Sequence, residues 1–350
     1  MTSTFGHIHS IQWLRGLAAL MVVIHHLGLY LTEKNMPLFS FHAGAMGVDL
    51  FFVISGFIIV YVTRNHAGNW PDTQQYFRRR LARIFPMYWL ITLLYLSFPQ
   101  FVDVHQVGWE KIIRSMLLLP MYWLNNWVNP FVIQGWTLYY ELFFYILFGL
   151  SLWAFKPGKA TIAISVAFIF LIIAGWAKPI QNPFFSCYSS PLLLEFLLGN
   201  LIAHAYLSGI RLSQLQATGL IFFGILLLPL LKHGFVDPLP YTAMPPYVRV
   251  IAWGIPAALI IAGAIFLEHA TQHKNIWRNK IAELYGNWSY SLYLVHYAVF
   301  VLASLPALII WAKPERLHQA ILAIIFLCIA TLVAAACFRW VELPIQRRFR

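Results

Sequence analysis

Several ionisable side chains in this sequence lie in stretches that are otherwise apolar, and their spacing indicates acid–base chemistry. Arg15 and His26 are 11 positions apart. An α-helix turns about 100° and rises about 1.5 Å per residue, so both side chains lie on one face, roughly 16 Å apart along the axis. The same geometry turns His25 about 80° away from that face. In a membrane-spanning helix, that face joins a cation near one surface to an imidazole beyond the middle of the bilayer.

A carboxylate is expected at a similar depth. Asp49 lies in residues 47–52 (GVDLFF), at the start of another apolar stretch. A carboxylate beside an imidazole fixes the tautomer of the ring and raises its basicity, which a general base requires. Asp is also favoured as a helix N-terminal cap, and the two roles are compatible. The sequence therefore predicts His26 as a general base that Asp49 orients.

Three further ionisable residues, Glu141, Glu195 and His296, are predicted between the outer half and the midplane of other apolar stretches. Ionisable groups inside membrane helices cost about 2.5–3.5 kcal/mol each on insertion scales, so each needs a reason. Their convergence suggests a polar cavity. A purely structural polar network is the alternative, and it is the preferred interpretation for Glu195 taken alone.

Two arginines on the opposite side of the predicted membrane have the spacing of an anion site. Arg80 and Arg83 are three residues apart and hence share a helical face. Guanidinium pairs of this kind bind phosphates through bidentate hydrogen bonds. The alternative is topological, because cytoplasmic loops of membrane proteins collect arginine in any case.

The elements that must position these residues are predicted from composition. Hydrophobic residues make up 60% of the 350 residues, charged residues only 10%, and mean hydropathy is +0.69. These values exclude an ordinary soluble domain, in which roughly a quarter of residues are charged. We predict an all-α, polytopic bundle of about ten transmembrane helices, each about 20 residues long. The candidate spans are 11–31, 45–63, 82–98, 133–155, 160–177, 190–207, 215–231, 248–268, 285–310 and 316–341, and 112–124 is a shorter re-entrant or interfacial candidate.

The net charge of +12 is explained by topology and does not require a nucleic-acid partner. With alternating spans and both termini in the cytoplasm, about two thirds of the Lys and Arg residues fall on the cytoplasmic side. The three cysteines have neither metal-ligand nor disulfide spacing. We expect one membrane domain over residues 1–350, with no appended soluble domain.

Five short motifs, taken in order, resemble those of the acyltransferase-3 family of integral membrane acyltransferases. They are Arg15 followed after ten residues by His26, the run GVDLFFVISGF at 47–57, RLARIFPMYW at 80–89, WTLYYE at 136–141 and SYSLYLVH at 289–296. Together the resemblance extends over about residues 11–344. His25 is a departure, because family members usually have an aromatic or other residue there; the ten-residue spacing selects His26.

The resemblance implies transfer of an acetyl group from cytosolic acetyl-CoA to a hydroxyl of a cell-envelope polysaccharide or glycolipid, in the inner membrane. Donor binding is then expected at Arg15, Arg80 and Arg83. The expected catalytic residues are His26, Asp49 and Glu141. Possible acceptor or cavity residues are Trp136, Tyr140, Ser291 and His296. No bound cofactor, metal or nucleic acid is expected, and acetyl-CoA serves as substrate.

Other functions remain open at this point. His26 could act as a general base or carry the acetyl group transiently. Buried Arg, His, Asp and Glu also mark substrate paths, so a transporter or flippase for a glycan or lipid-linked substrate is the main alternative. The sequence leaves open the acceptor sugar, the acyl group and the oligomeric state.

Overall fold

The computed structural model describes residues 8–102, 107–123, 126–177, 182–231, 244–271 and 276–349. These residues form a helical fold. In chain order the helices are α1 (His9–Glu33), α2 (Gly47–Thr63), α3 (Trp70–Ser97), α4 (Trp109–Met116), α5 (Trp136–Ala154), α6 (Pro157–Ala177), α7 (Pro183–Tyr188), α8 (Leu193–Leu207), α9 (Gln214–Leu231), α10 (Pro246–Arg249), α11 (Ile255–Thr271), α12 (Lys280–Leu302), α13 (Pro306–Ala312), α14 (Arg316–Cys337) and α15 (Leu343–Arg348).

Short irregular elements interrupt this helical pattern. A hairpin of two antiparallel strands, β1 (Met121–Trp123) and β2 (Asn126–Val128), follows α4. Segments of 3-10 helix precede α2 and α5, at His42–Met46 and Ile133–Gly135. Two π-helical turns, Val250–Gly254 and Phe338–Glu342, lie before α11 and after α14. The prediction of a helical fold is thus confirmed, with the hairpin as a small addition.

The chain is a multi-pass membrane protein. Among the described residues, 7 stretches are long and apolar enough to cross a membrane. These are His9–Glu33, His42–Thr63, Ile133–Ala154, Pro157–Ala177, Pro183–Leu207, Pro246–Thr271 and Arg316–Arg348. Helices α12 and α13, which meet at a bend of 87°, make an eighth span if the pair counts as one.

The predicted count of ten spans is not confirmed, although both remaining candidates are helical. The span expected at 82–98 belongs to α3, whose first half is polar and carries four arginines, at 78, 79, 80 and 83. The span expected at 215–231 is α9, whose apolar part is a shorter helix, Gln214–Pro229. The run 112–124 ends α4 and forms β1, and residue 124 lies outside the described residues. The cytoplasmic location of both termini stays a prediction.

The chain divides into two compact units. The first comprises residues 1–21, 45–62 and 194–289, and the second comprises residues 22–44, 63–193 and 290–350, in each case as far as they are described. The boundary falls inside α1 and inside α12.

In the first unit, glycines allow helices to approach closely, as is usual in membrane proteins. A Cβ built on Gly286 of α12 would clash with the carbonyl oxygen of Gln12 on α1. A Cβ on Gly16 would lie 2.9 Å from Cβ of Tyr285. Elsewhere Glu268 accepts hydrogen bonds from the amides of His9 and Ser10, at 2.8 and 2.7 Å, and so satisfies the first turn of α1.

In the second unit, tyrosine hydroxyls bond helices to backbone oxygens of their neighbours. The hydroxyl of Tyr76 donates to the Tyr145 carbonyl at 3.1 Å, which joins α3 to α5. The hydroxyl of Tyr88 donates to the Ser115 carbonyl at 2.7 Å, which joins α3 to α4. On the last turns of α1, Tyr30 hydrogen-bonds Ser304 at 2.6 Å. These bonds satisfy polar groups that the bilayer would leave unpaired.

The glycine contact between α1 and α12 generates the first prediction. Gly286→Val should destabilise the protein, because the added side chain meets backbone that cannot rotate away, and overpacking costs about 1–3 kcal/mol. The matched control is Gly219→Val in α9, where an added Cβ has nothing within 4 Å. We expect a lower thermal midpoint and a smaller monodisperse fraction, by size-exclusion chromatography in detergent, for Gly286→Val only. Equal behaviour of the two variants would contradict the packing described above.

Candidate active site

The second unit brings together two of the predicted site residues, His26 from α1 and His296 from α12. Nδ1 of His26 lies 2.9 Å from Nε2 of His296, within hydrogen-bond distance. The two rings stack with their centroids 5.0 Å apart and their planes at 16°. His296 is fully buried, whereas His26 keeps partial exposure, so a reactant can still reach the latter ring.

The surroundings of His296 assign the proton positions in this pair. Nδ1 of His296 lies 3.1 Å from the carbonyl oxygen of Leu292, which can only accept, so this Nδ1 carries the proton. In a neutral ring Nε2 is then an acceptor, and Nδ1 of His26 donates to it. The amide nitrogen of Gln134, 3.4 Å from the same Nε2, is a second donor. The network therefore leaves the lone pair of His26 on Nε2, which is the tautomer of a general base.

Asp49 has a different partner from the one that the sequence predicts. In the first unit its two carboxylate oxygens accept hydrogen bonds from Arg249, from Nε at 2.9 Å and from a terminal nitrogen at 2.8 Å. Asp49 is fully buried, and the guanidinium also lies over the ring of Trp253, 5.1 Å from its centroid. The predicted pairing of Asp49 with His26 stays a prediction. A charged, forked guanidinium binds a buried carboxylate more strongly than a neutral imidazole does.

Glu195 lies beside this ion pair. Its side chain is fully buried and interacts electrostatically with both Asp49 and Arg249. A Cβ built on Gly254 would lie 3.0 Å from Oε1 of Glu195, so the glycine at the end of the π-helical turn makes room for the carboxyl group. Two buried acids thus depend on one arginine. This arrangement agrees with the structural role that the sequence favoured for Glu195.

Arg15 is buried in the first unit, where its guanidinium contacts the neighbouring helix. One terminal nitrogen donates to the hydroxyl of Ser289 at 2.9 Å, and the other donates to the side-chain oxygen of Gln12 at 3.0 Å. Ser289 in turn donates to the Gly286 carbonyl at 2.8 Å. These hydrogen bonds hold the guanidinium of Arg15 against α12.

In the second unit, Arg80, Arg83 and Glu141 share one cluster with Tyr145. The guanidinium of Arg80 lies over the rings of Tyr76 and Tyr145, 5.8 and 5.4 Å from their centroids. Arg83 interacts electrostatically with Glu141, whose carboxylate accepts a hydrogen bond from the hydroxyl of Tyr145. The described contacts of Glu141 are thus at the arginine end of the site, and its predicted catalytic role remains a prediction.

The remaining acceptor candidates do not form one wall. Ser291 donates to Oε2 of Glu342 at 2.8 Å. The rings of Trp136 and Tyr140 meet edge-on with their centroids 6.1 Å apart. His296 contacts His26, as described above. Within the described ranges, no three His, Cys, Asp or Glu side chains are close enough together to hold a metal ion.

Three residues of these networks escaped the sequence reasoning. Arg249 belongs to none of the motifs, although a cation next to a long apolar stretch is a usable signal. Glu342, which interacts with Arg83 and binds Ser291, was visible as an isolated acid in the apolar last span. Gln134 had no signal in the sequence, since an amide near a helix start is common.

Comparisons with known proteins identify the family of the chain. The model of the acyltransferase-3 family, described as an acyltransferase domain, matches residues 8–340. The chain belongs to the acyltransferase-3 family. It is accordingly an O-acyltransferase of the membrane, and the resemblance inferred from the five motifs is confirmed.

Curated members of the family are similar over most of the chain. The exopolysaccharide production protein ExoZ of Rhizobium meliloti is 30% identical over 89% of this chain and 92% of its own. The acyltransferase MdmB of Streptomyces mycarofaciens is 26% identical over 83% and 78%, respectively. The O-acetyltransferase OatA of Staphylococcus aureus is 23% identical over 98% of this chain, which spans 58% of that protein. No solved structure matches.

The buried ion pair generates the second prediction. Arg249→Ala should lower the thermal midpoint of the detergent-solubilised protein strongly, because it leaves Asp49 and Glu195 buried without their cation; breaking such a pair costs about 3–5 kcal/mol. The control is Arg316→Ala, at the exposed start of α14. The double variant Arg249→Met, Asp49→Leu should recover part of the loss. If Arg249→Ala melts like Arg316→Ala, the ion pair does not support the fold.

Proposed function

We propose that this protein transfers the acetyl group of acetyl-CoA to a hydroxyl of a cell-envelope polysaccharide. The observation that carries the proposal is the partly exposed His26, whose Nε2 lone pair is fixed by His296. A neutral imidazole in this tautomer accepts a proton from an attacking hydroxyl. Family membership and the printed names of the relatives support acyl transfer as the reaction.

The proposed reaction requires one base and one leaving group. Nε2 of His26 takes the hydroxyl proton as the sugar oxygen attacks the acetyl carbonyl. The thioester C–S bond then breaks, and the CoA sulfur leaves and is protonated. In the alternative scheme, His26 itself carries the acetyl group from the donor to the acceptor. General-base action contributes about 10²–10⁴-fold, so positioning and electrostatic stabilisation supply the remainder.

We propose that Arg80 and Arg83, helped by Arg15, bind the phosphates of the donor. Arg80 is oriented by the rings of Tyr76 and Tyr145, and Arg83 by Glu141 and Glu342. Held guanidinium groups lose less conformational freedom on binding a phosphate than solvated ones do. The role that we assign to Glu141 is to hold these arginines in place.

The acceptor and the topology are proposed from the relatives and from charge. The names exopolysaccharide production protein and O-acetyltransferase support a glycan hydroxyl as acceptor. We propose an inner-membrane protein with cytoplasmic termini and ten membrane crossings, in which α3 and α9 complete the count. Acetyl-CoA then arrives at the cytoplasmic arginines, and the acceptor arrives from the other side.

The third prediction tests the base and its partner. In proteoliposomes with labelled acetyl-CoA and the envelope polysaccharide of the host, His26→Ala should abolish transfer and CoA release. His296→Phe should keep the packing but lose the tautomer, and so lower kcat about tenfold to a hundredfold without changing the donor KM. The control is His318→Ala on α14, whose ring stacks on Trp311.

Full activity of His26→Ala, with expression confirmed, would remove this histidine from the mechanism. A protein that moves glycan across the bilayer without releasing CoA is a transporter or flippase, and that result would overturn the proposal as a whole.

The fourth prediction concerns the donor. Arg80→Gln combined with Arg83→Gln should raise the dissociation constant of acetyl-CoA at least tenfold, because two phosphate contacts are lost. The matched control is Arg78→Gln with Arg79→Gln on the same helix, where both side chains are exposed. The measurement is equilibrium binding of labelled acetyl-CoA to purified protein. An equal loss of acetyl-CoA affinity in both double variants would mean that Arg80 and Arg83 have no specific role in donor binding.

A further inference from the structure

A cavity of about 360 Å³ lies in the second unit, along the last turns of α1. One wall is α1, from His25 to Thr32, and the other is the chain that folds back before the 3-10 helix. The volume is at the lower end of the range of about 300–1,000 Å³ found for small-molecule sites. It suits one or two sugar rings and is too small for a nucleotide cofactor such as CoA.

Backbone contacts hold the second wall against the helix. The amide of Met36 donates to the Leu31 carbonyl at 2.8 Å, and Nδ1 of His25 lies 3.0 Å from the Phe41 carbonyl oxygen. Gly28 allows the closest approach, since a Cβ there would lie 3.1 Å from the ring and the carbonyl oxygen of Phe39. The cavity is therefore formed before any ligand binds, which lowers the entropic cost of binding.

The lining is mainly apolar with a few polar groups, which matches the apolar C–H face and the hydroxyl edge of a neutral sugar ring. It combines two phenyl rings, two hydroxyls and two imidazoles, and no Asp, Glu, Lys or Arg lines it. Phenyl faces pack against the apolar C–H face of a sugar, while hydroxyls and imidazoles exchange hydrogen bonds with its hydroxyl groups. The residues concerned are Phe39, Phe41, Thr32, Ser40, His25 and His42.

His25 connects this cavity to the proposed base. It lines the cavity, and its ring centroid lies 5.2 Å from that of His26. The ring of His42 lies on its other side, with 6.0 Å between the centroids. A ligand that contacts His25 is thus one side chain away from the imidazole that would take its proton.

We propose that this cavity holds the acceptor as a neutral sugar ring, with His25 as the positioning residue that presents one hydroxyl to His26. The inference rests on the proposed function and deepens it, because it names the acceptor class and the surface that selects it. Uronic acids and other anionic sugars are disfavoured, because the lining offers them no cation.

The fifth prediction uses methyl glycosides of glucose, galactose, mannose and glucuronic acid as soluble acceptors, with labelled acetyl-CoA and full-length protein in detergent. The wild-type protein should acetylate at least one neutral glycoside more than tenfold more efficiently, as kcat/KM, than the glucuronide. Thr32→Val with Ser40→Ala should raise the acceptor KM about tenfold, because two hydrogen bonds are lost, and leave the donor KM within twofold.

A second variant separates a loss of acceptor binding from a loss of folding. Ser40→Trp fills the cavity from an exposed position and should remove glycoside binding, measured by saturation-transfer NMR without donor, while acetyl-CoA binding persists. Ser97→Trp, at the exposed end of α3, is the matched control and should bind both ligands.

Three results would overturn the inference. If the wild-type protein transfers acetyl groups and Ser40→Trp has the same acceptor KM and the same glycoside binding, the cavity is not the acceptor site, although the proposed function stands. A preference for the glucuronide would refute the neutral-sugar assignment. A wild-type protein that binds acetyl-CoA but acetylates no hydroxyl would overturn the proposed function together with this inference.

Discussion

A neutral hydrogen bond between two imidazoles, on α1 and α12, is the constraint on which the catalytic proposal depends. A carboxylate partner would bring a full negative charge into the apolar interior, and burial of an ion costs several kcal/mol. His296 avoids that cost because it is neutral. The Leu292 carbonyl holds the proton of His296 on Nδ1, so Nε2 of the same ring can only accept. The Leu292 carbonyl therefore sets the tautomer of His296, and His296 in turn sets the tautomer of His26, which leaves the lone pair of His26 on Nε2. The base is oriented without any buried net charge.

The charges that the protein does bury are compensated within short-range clusters. Asp49 is bound by Arg249 in the first unit, and Arg83 faces Glu141 and Glu342 in the second. Arg15 donates hydrogen bonds to Gln12 and Ser289. An arginine in an apolar membrane helix is a candidate for a functional site, which is the physical argument for proposing it among the donor ligands.

The sequence predicted single-helix features well and long-range pairings poorly. The common face of Arg15 and His26 follows from helix geometry alone. The partner of Asp49 could not be found, because Arg249 is 200 positions away and nothing local links the two. A predicted depth in the bilayer does not fix which neighbouring ring His296 meets. The count of spans went beyond what is confirmed because only the second half of α3 is apolar and the apolar part of α9 is short. The cavity could not be predicted from the sequence, because the loop that follows α1 forms half of its lining.

The contacts of α1 have a consequence for biosynthesis. Its first amides are bound by Glu268, its Arg15 by Ser289 and its His26 by His296, all more than 250 positions later in the chain. The ribosome therefore delivers α1 to the bilayer long before any of these groups has been translated. During that interval the arginine has to reach the lipid headgroups, and the two histidines must tolerate the hydrocarbon. The His26–His296 pair therefore forms only after α12 has emerged.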